Sequence, residues 1–275
     1  VLDWASSNGV GISLAVDLGK ALDIDFAEVL DFLVHDERTR FILLHLEHVR
    51  DARRFMSALR SAANAKPVVV LKAGRKPAGN QAAQTHSGAI VGSDDVFDAA
   101  LRRAGAVRVR SFVQLFSAAK CLASRYRPVG PRLAIVTNGG GPGVLAADWA
   151  NEIGLQMGTL SEELQQALLP QLNANASLAD LIDLSEDATP EQYALAIEAA
   201  NKDKGVDGVM VLHSPKFGTD ALGIAQKIAQ LRGHISKPVL SCWMGDATVA
   251  QARAVLSDAT IPTFRTPEAA VDRKS

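Results

Sequence analysis

The fold is decided by residues 66–109, which read K-P-V-V-V-L-K-A-G-R-K-P-A-G-N-Q-A-A-Q-T-H-S-G-A-I-V-G-S-D-D-V-F-D-A-A-L-R-R-A-G-A-V-R-V. The apolar, β-branched run from Pro67 to Leu71 predicts a strand that is buried on both faces. A glycine-rich loop follows as far as Gly92, and Ser93 begins a helix with acids in its first turn. Open α/β sheets bind ligands at the carboxyl ends of such strands, so we expect this loop of about twenty residues to be functional.

His86 is the candidate reactive group of this loop. It lies between Thr85 and Ser87, and Gly88 follows, so two hydroxyls and an accessible backbone surround the imidazole. A neutral imidazole can act as a nucleophile toward a phosphoryl group. One histidine without a defined partner is a weak signal, however. The residues alone therefore favour the plainer interpretation, a water-solvated histidine in a glycine-rich loop.

Glu47 ends a second predicted strand, Phe41 to Glu47, which reads F-I-L-L-H-L-E. An acid at the end of a strand is most often solvated or salt-bridged. In one parallel sheet, however, Glu47 and His86 would both lie at the carboxyl edge, where a carboxylate bonded to one imidazole nitrogen fixes the tautomer. His45 and His48 are close in sequence, but no third ligand is evident, and we expect no metal site.

A second glycine-rich turn, N-G-G-G-P-G, separates the predicted strand Arg132–Thr137 from a helix predicted over Val144 to Glu152. Backbone N–H groups at such a strand-to-helix turn form an anion-binding site. The turn matches neither the dinucleotide pattern nor the P-loop, so it specifies no nucleotide, and a tight turn is the plainer alternative. We expect anion binding by the residues of this turn: Asn138, Gly139, Gly140, Gly141 and Gly143.

The rest of the chain alternates predicted strands and helices in two series, separated by R-Y-R-P-V-G-P at residues 125–131. Its 275 residues are 48% hydrophobic and 21% charged, which is typical of globular domains. We expect an α/β protein with mainly parallel sheets and two domains, residues 1–127 and 131–275. A helical end at Val1–Ser7, followed by a predicted strand over Gly11–Val16, indicates that the first domain is truncated at its N-terminus. Capping boxes predict further helices after Asp25 and Thr189.

Composition excludes several classes of protein. The net charge is −1, and lysines and arginines are dispersed, so we expect no nucleic-acid partner. The apolar runs are far shorter than the ~20 residues of a membrane span. Cys121 and Cys242 lie far apart, which favours a reduced, cytoplasmic protein over a disulfide framework. Cys242 has no neighbouring base that would activate its thiol. His213, at the end of another predicted strand, either lines the site or is a structural residue.

Residues 85–100, T-H-S-G-A-I-V-G-S-D-D-V-F-D-A-A, resemble the phosphohistidine loop of the NDP-forming acyl-CoA synthetases, relatives of succinyl-CoA synthetase. The family pattern is S/T-H-T/S-G-A/S-L-A-G-S-D-x-x-Y/F-D-A-A, and the departures here are conservative. The resemblance extends over nearly the whole chain and implies two flavodoxin-like three-layer αβα domains. It also implies that His86 carries a phosphoryl group, that Glu47 steadies the imidazole, and that the turn at residues 138–143 begins a helix whose dipole stabilises the phosphate.

The same resemblance implies substrates and partners for the complete protein. CoA and ADP or ATP with Mg²⁺ would be substrates rather than tightly bound cofactors, and phosphate or an acyl phosphate would occupy the site. A CoA-binding domain and an ATP-grasp domain would lie in the same polypeptide or on a partner subunit, in a homo- or hetero-oligomer. The segment D-L-I-D at residues 180–183 departs from the family's N-P-[VLI]-D, which puts a substrate or interface role of that segment in doubt.

Three short segments support an alternative. V-L-D-W-A at residues 1–5, D-A-R-R-F-M-S-A-L-R-S-A at residues 51–62 and P-T-F-R-T-P-E at residues 262–268 resemble bacterial protein lysine acetyltransferases. In those proteins a synthetase-like region is fused to a GNAT domain and serves mainly as a regulatory binding module. His86 is retained here, which favours the synthetase chemistry. A third alternative is a flavodoxin-like scaffold for oligomerisation.

Overall fold

The computed structural model describes residues 1–8, 10–19, 21, 23–76, 79, 93–124, 127 and 129–271. The chain divides into two compact units, one formed mainly by residues 10–122 together with residues 1–6, and the other formed mainly by residues 123–275. Among the described residues, every helix is too short or too polar to cross a membrane.

The first unit alternates helices with parallel strands. Its described helices are α1 (Leu2–Ser7), α2 (Phe26–His35), α3 (Ala52–Ala65), α4 (Asp94–Ala104) and α5 (Phe112–Ala123). Its described strands are β1 (Ile42–Leu46), β2 (Val68–Lys72) and β3 (Val107–Val109). The predicted capping box at the start of α2 is confirmed, since Ala27 N–H donates to Asp25 Oδ1 at 2.7 Å and Asp25 N–H donates to Glu28 Oε2 at 3.0 Å.

Strand β2 lies in the middle of the described sheet, which has the order β1-β2-β3 with both pairs parallel. Every residue of β2 is buried, which confirms a strand covered on both faces. Val68 and Val70 belong to the core cluster that contains Leu59 of α3, whereas Val69 belongs to the cluster that contains Leu115 of α5. Helices therefore cover both faces of this sheet.

The predicted strand over Gly11–Val16 is wrong. Residues 10–18 have no regular secondary structure, and Ile12, Leu14 and Val16 are exposed. Alternating apolar residues are typical of a strand, but a strand also requires a neighbour that supplies hydrogen bonds. The described ladders of the first unit join only β1, β2 and β3. The pattern at Gly11–Val16 therefore stands without a partner strand.

The second unit contains a larger sheet. Its described strands are β4 (Arg132–Thr137), β5 (Gln156–Met157), β6 (Ile182–Asp183), β7 (Gly208–His213), β8 (Val239–Trp243) and β9 (Thr263–Phe264). Its described α-helices are α6 (Gly140–Glu152), α7 (Glu162–Leu168), α8 (Pro190–Lys202), α9 (Ala221–Leu231), α10 (Ala250–Asp258) and α11 (Pro267–Val271), and short 3₁₀ turns lie at Leu169–Gln171 and Ala247–Val249. The strands follow the order β5-β4-β7-β8-β9, β6 also pairs with β4, and every pair is parallel.

Helix α6 begins four residues earlier than the predicted Val144, at Gly140. Pro142 can lie in a first helical turn, because the N–H that proline lacks would have no partner within the helix there. The glycines permit close packing. A Cβ atom on Gly143 would lie 3.0 Å from Leu181 Cδ1 and 3.1 Å from Thr137 Cγ2, whereas one on Gly141 would meet nothing within 4 Å. A methyl group at position 143 would therefore force its neighbours Leu181 and Thr137 to shift.

We predict opposite effects for two glycine-to-alanine variants in the same helical turn. Gly143→Ala should lower the free energy of unfolding by about 1–3 kcal/mol, because its methyl group overpacks the contact with β4. Gly141→Ala should leave it unchanged or raise it by up to about 1 kcal/mol, because alanine restricts the unfolded chain. Urea unfolding of both variants measures the difference, and equal stabilities would contradict the packing argument.

Candidate functional site

Glu47 directly follows β1 at the carboxyl edge of the first sheet. The register of the sheet pairs Leu46 with Lys72, the last residue of β2, and Ala73 N–H donates to Leu46 O at 2.9 Å. Glu47 is half-buried at this edge. The strand-end position predicted for the carboxylate is therefore present, next to the residues from which the segment with His86 departs.

The other predicted residues of the first unit, Thr85, His86, Ser87 and Gly88, lie outside the described residues. The residues that flank this segment are described, and the side chains of two basic residues hold them. Lys72 Nζ donates to Ala73 O at 3.0 Å and to Gly74 O at 3.4 Å. Arg108 binds Asp94 Oδ1 at 2.5 Å, just after the segment. Both ends of the candidate loop are thus fixed to the sheet.

In the second unit the turn after β4 is held by two polar side chains. Thr137 Oγ1 accepts the N–H of Gly139 at 3.0 Å and donates to Gly139 O at 3.1 Å. The buried Asn138 side chain binds the backbone of Ser214 twice: Nδ2 donates to Ser214 O at 2.9 Å, and Oδ1 accepts Ser214 N–H at 2.8 Å. These bonds join the carboxyl ends of β4 and β7, and they engage the Asn138 amide and the Gly139 N–H within the chain.

This geometry reduces the number of N–H groups that are available to an anion at the predicted site. The first four N–H groups of a helix have no partner within the helix. Here Gly139 donates to Thr137, Pro142 has no N–H, and Gly143 N–H donates to Gly139 O at 3.1 Å. The N–H groups of Gly140 and Gly141 therefore remain the donors best suited to an anion, whereas the Asn138 side chain and the N–H groups of Gly139 and Gly143 are engaged within the chain.

Asp183 lies beside these donors, which the sequence did not predict. It ends β6, where it pairs with Thr137, and a Cβ atom on Gly140 would lie 3.1 Å from Asp183 Oδ2. Its Oδ1 accepts Ser185 N–H at 3.1 Å. A carboxylate is favourable at the positive end of a helix. Asp183 is thus the last residue of the divergent D-L-I-D segment and part of the wall of the candidate site.

His213 is a buried structural residue. It ends β7 with no exposed surface, and its ring lies 5.4 Å from that of Trp243 and 6.3 Å from that of Tyr193, centroid to centroid. Neither ring nitrogen has a hydrogen-bond partner among the described residues. Burial lowers the pKa of His213 to about 4, which keeps the imidazole neutral at pH 7. Of the two predicted roles, the geometry agrees with the structural one.

Neither Cys242 nor His45 has a catalytic arrangement among the residues that the structure describes. Burial raises the pKa of the Cys242 thiol to about 12, which keeps it protonated at neutral pH. The ring of His45 packs against Phe112, 5.2 Å from centroid to centroid. Within the described part of the chain, no three His, Cys, Asp or Glu side chains are arranged to hold a metal ion.

Comparison with known proteins identifies the class of the first unit. Residues 1–122 match the family model of the succinyl-CoA ligase-like flavodoxin domain. This part of the chain is therefore a succinyl-CoA ligase-like domain, and its parallel sheet with helices on both faces agrees with that fold.

Over almost its whole length the chain is homologous to ADP-forming acetate–CoA ligases. It is 35% identical to acetate–CoA ligase I of Archaeoglobus fulgidus, over 98% of this chain and 38% of that protein. It is 32% identical to the α subunit of acetate–CoA ligase I of Pyrococcus furiosus, over 98% of this chain and 59% of that subunit. The chain thus spans 38% and 59% of the lengths of these relatives.

A solved structure confirms the fold class. Acetyl-coenzyme A synthetase 1 of Ca. Korarchaeum cryptofilum, in complex with phosphate and ADP, is similar with a TM-score of 0.90 and 31% identity. The similarity covers 99% of this chain and 60% of that one. The α/β architecture with mainly parallel sheets, predicted from the alternation of strands and helices, is therefore confirmed.

The buried His213 predicts a pH-dependent stability. Its pKa is about 4 in the folded chain and near 6.5 when unfolded, so the unfolded state binds the proton first as the pH falls. The stability that the folded chain gains from a neutral His213 is fully present above pH 6.5. It is lost between about pH 6.5 and 4, and the total loss in the free energy of unfolding is about 3 kcal/mol. His213→Phe removes the titrating group and retains a ring of similar shape.

The measurement is urea unfolding of both proteins from pH 7.5 to 4.5. As the pH falls, the original chain should lose stability relative to His213→Phe, because only the original chain has a histidine at position 213 that takes up a proton on unfolding. All other titrating groups cancel in the difference between the two free energies of unfolding. A difference that stays constant over the whole range would show that His213 does not titrate as proposed.

Proposed function

We propose that this chain is the phosphoryl-relay part of an ADP-forming acyl-CoA synthetase. The observation that carries the proposal is the similarity to acetate–CoA ligases along 98% of the chain. The loop T-H-S-G-A-I-V-G-S-D-D at residues 85–95 adds the phosphohistidine pattern. The relative with bound phosphate and ADP supports phosphate and a nucleotide as ligands of the complete protein.

In the proposed reaction, phosphate attacks the thioester carbonyl of an acyl-CoA, and CoA leaves as an acyl phosphate forms. The His86 imidazole then displaces the carboxylic acid from the phosphorus, giving phosphohistidine, and ADP accepts the phosphoryl group to give ATP. Glu47 would hold one imidazole nitrogen so that the other is free to attack. Phosphoryl transfer depends mainly on positioning and on charge stabilisation, which a helix N-terminus can supply through N–H groups.

The N–H groups of Gly140 and Gly141 are the proposed donors to a phosphate in the second unit. They lie at the start of α6, where the helix dipole favours an anion. Asp183 beside them would favour a protonated oxygen of the bound phosphate over a fully ionised one, because like charges repel at short distance. The same carboxylate would disfavour anions that cannot share a proton with it.

The partners follow from the length of the relatives. Matching regions occur within a longer single chain in Archaeoglobus and within an α subunit in Pyrococcus. We propose that a CoA-binding domain and an ATP-grasp domain complete this protein, in the same polypeptide or on a partner subunit, and that CoA and nucleotide with Mg²⁺ are its substrates. The acyl group is not specified, since the relatives include acetate–CoA and 4-hydroxybutyrate–CoA ligases.

The regulatory region of a GNAT acetyltransferase is the alternative. Three short segments support it, whereas the ligase relatives match nearly the whole chain. The coding sequence on both sides of this chain distinguishes the two: a downstream GNAT domain favours the acetyltransferase, and an ATP-grasp domain without GNAT favours the synthetase.

The first test is transfer of phosphate from labelled ATP. We expect the complete protein with [γ-³²P]ATP and Mg²⁺ to gain acid-labile, base-stable label, and His86→Ala to gain none. His35→Ala is the matched control, because His35 is an exposed histidine at the end of α2 in the same unit. It should label normally. Equal labelling of His86→Ala and the original protein would exclude the relay.

The second test addresses Glu47. We expect Glu47→Gln to slow labelling by about 10- to 100-fold, because the amide cannot stabilise the charged imidazole as a carboxylate does. Glu37→Gln removes a carboxylate from the exposed loop after α2 and should label at the original rate. An unchanged rate for Glu47→Gln, with His86-dependent label still present, would remove Glu47 from the mechanism and leave the relay intact.

A further inference from the structure

Lys72 is a buried cation with an unusual set of partners. Its residue is 4% exposed at the end of β2. The hydrogen bonds of its ammonium group within the described residues go to the neutral carbonyls of Ala73 and Gly74. Burying an ammonium group without a directly bonded carboxylate is costly. A buried charge of this kind therefore indicates either a structural anchor or a site for an anion.

The neighbouring charges do not neutralise Lys72. The Arg108 side chain, 9% exposed, engages both nearby carboxylates, Asp94 at 2.5 Å and Asp98 at 3.2 Å. Asp98 is also bound by the exposed Arg102. Arg75, whose side chain donates to Arg110 O at 3.4 Å, is a third cation that acts on Lys72. These residues form what we call the Lys72 cluster, three cations and two carboxylates of the described chain: Lys72, Arg75, Arg108, Asp94 and Asp98.

The aromatic ring of Phe97 links the two buried cations. Lys72 Nζ lies 5.5 Å from the ring centroid, and Arg108 Cζ lies 5.9 Å from it. Burial lowers the pKa of Lys72, Asp94 raises it, and Arg108 and Arg75 lower it further. Lys72 is thus influenced by one carboxylate and two further cations, which leaves room for an additional negative charge beside it.

The cluster lies at the carboxyl edge of the sheet, where the segment with His86 begins and ends. Lys72 binds the backbone just before that segment, and Arg108 binds Asp94 just after it. Lys72 also pairs in register with Leu46, the residue before Glu47. An anion bound by Lys72 would therefore lie at the sheet edge where Glu47 follows β1 and where the chain leaves β2 toward the segment with His86.

We propose that Lys72 binds the phosphate that enters the reaction, with Arg75 adding positive charge. The proposal rests on the proposed function, and it adds a phosphate-binding residue that the motif does not contain. Phosphate carries between one and two negative charges near pH 7, and lysine binds it as a point charge. A phosphate anion would offset the net positive charge of the cluster.

The chain offers a matched control, Lys66. Its ammonium group also binds two backbone carbonyls, Leu33 O at 2.6 Å and Asp36 O at 2.7 Å, but at the amino end of the same strand. Lys66→Gln therefore removes a similar anchor without changing the charge at the carboxyl edge. Lys72→Arg retains the charge, and Arg75→Gln lowers the charge of the cluster without altering a buried side chain.

The experiment is calorimetric titration of the complete protein with inorganic phosphate. We expect Lys72→Gln to raise the dissociation constant at least tenfold and Arg75→Gln to raise it about threefold. Lys66→Gln should leave it unchanged, and Lys72→Arg should recover most of the affinity. Thermal unfolding identifies any variant that fails to fold, in which case Arg75→Gln and Lys72→Arg still test the charge.

Two results would overturn the proposal: unchanged phosphate affinity in Lys72→Gln, or an equal loss in Lys66→Gln, which would indicate a general effect of losing a backbone anchor. Absence of saturable phosphate binding in the original protein would overturn it as well. These results are separate from those of the labelling test. If the label depends on His86 but the phosphate affinity does not depend on Lys72, the proposed relay is retained and only the proposed role of Lys72 is rejected.

Discussion

The parallel pairing of β1 with β2 is the constraint on which the first unit depends. Because Leu46 pairs with Lys72, both strands end at the same height, and the Ala73 N–H still donates to Leu46 O beyond the ladder. A shift of one residue would turn the side chains of a strand to its opposite face. Lys72 would then leave the face that it shares with Val68 and Val70, and Leu71 or Ala73 would take its place. The buried run of β2 opposes such a shift, since all five of its residues are covered.

The second unit uses side chains, rather than strand register alone, to place its candidate anion site. Thr137 and Asn138 fix the turn by bonds to Gly139 and to Ser214, 76 residues later in the chain than Asn138. These bonds satisfy buried polar groups that would otherwise be costly. They also reduce the number of N–H groups available to a ligand. The site is therefore more rigid and has fewer donors than a run of three glycines suggests.

The sequence predicted those features that depend on neighbours in the chain. The capping boxes at Asp25 and Thr189 formed as expected, because the participating residues lie three positions apart. The strand at Gly11–Val16 was wrong because a strand requires a partner that local alternation does not reveal. The start of α6 was misplaced because glycines suggested a loop, whereas Pro142 fits the first helical turn.

The proposed site residues that sequence analysis missed are those brought together over long distances. Asp183 reaches Gly140 only because β6 pairs with β4. Lys72 follows an apolar run and reads as the polar end of a strand, so nothing local indicates that it is buried. Its environment includes Arg108, 36 residues later, which binds Asp94, the carboxylate that also acts on Lys72. A motif thus points to a candidate reactive residue, whereas the charge at the edge of a sheet depends on which strands the fold makes adjacent.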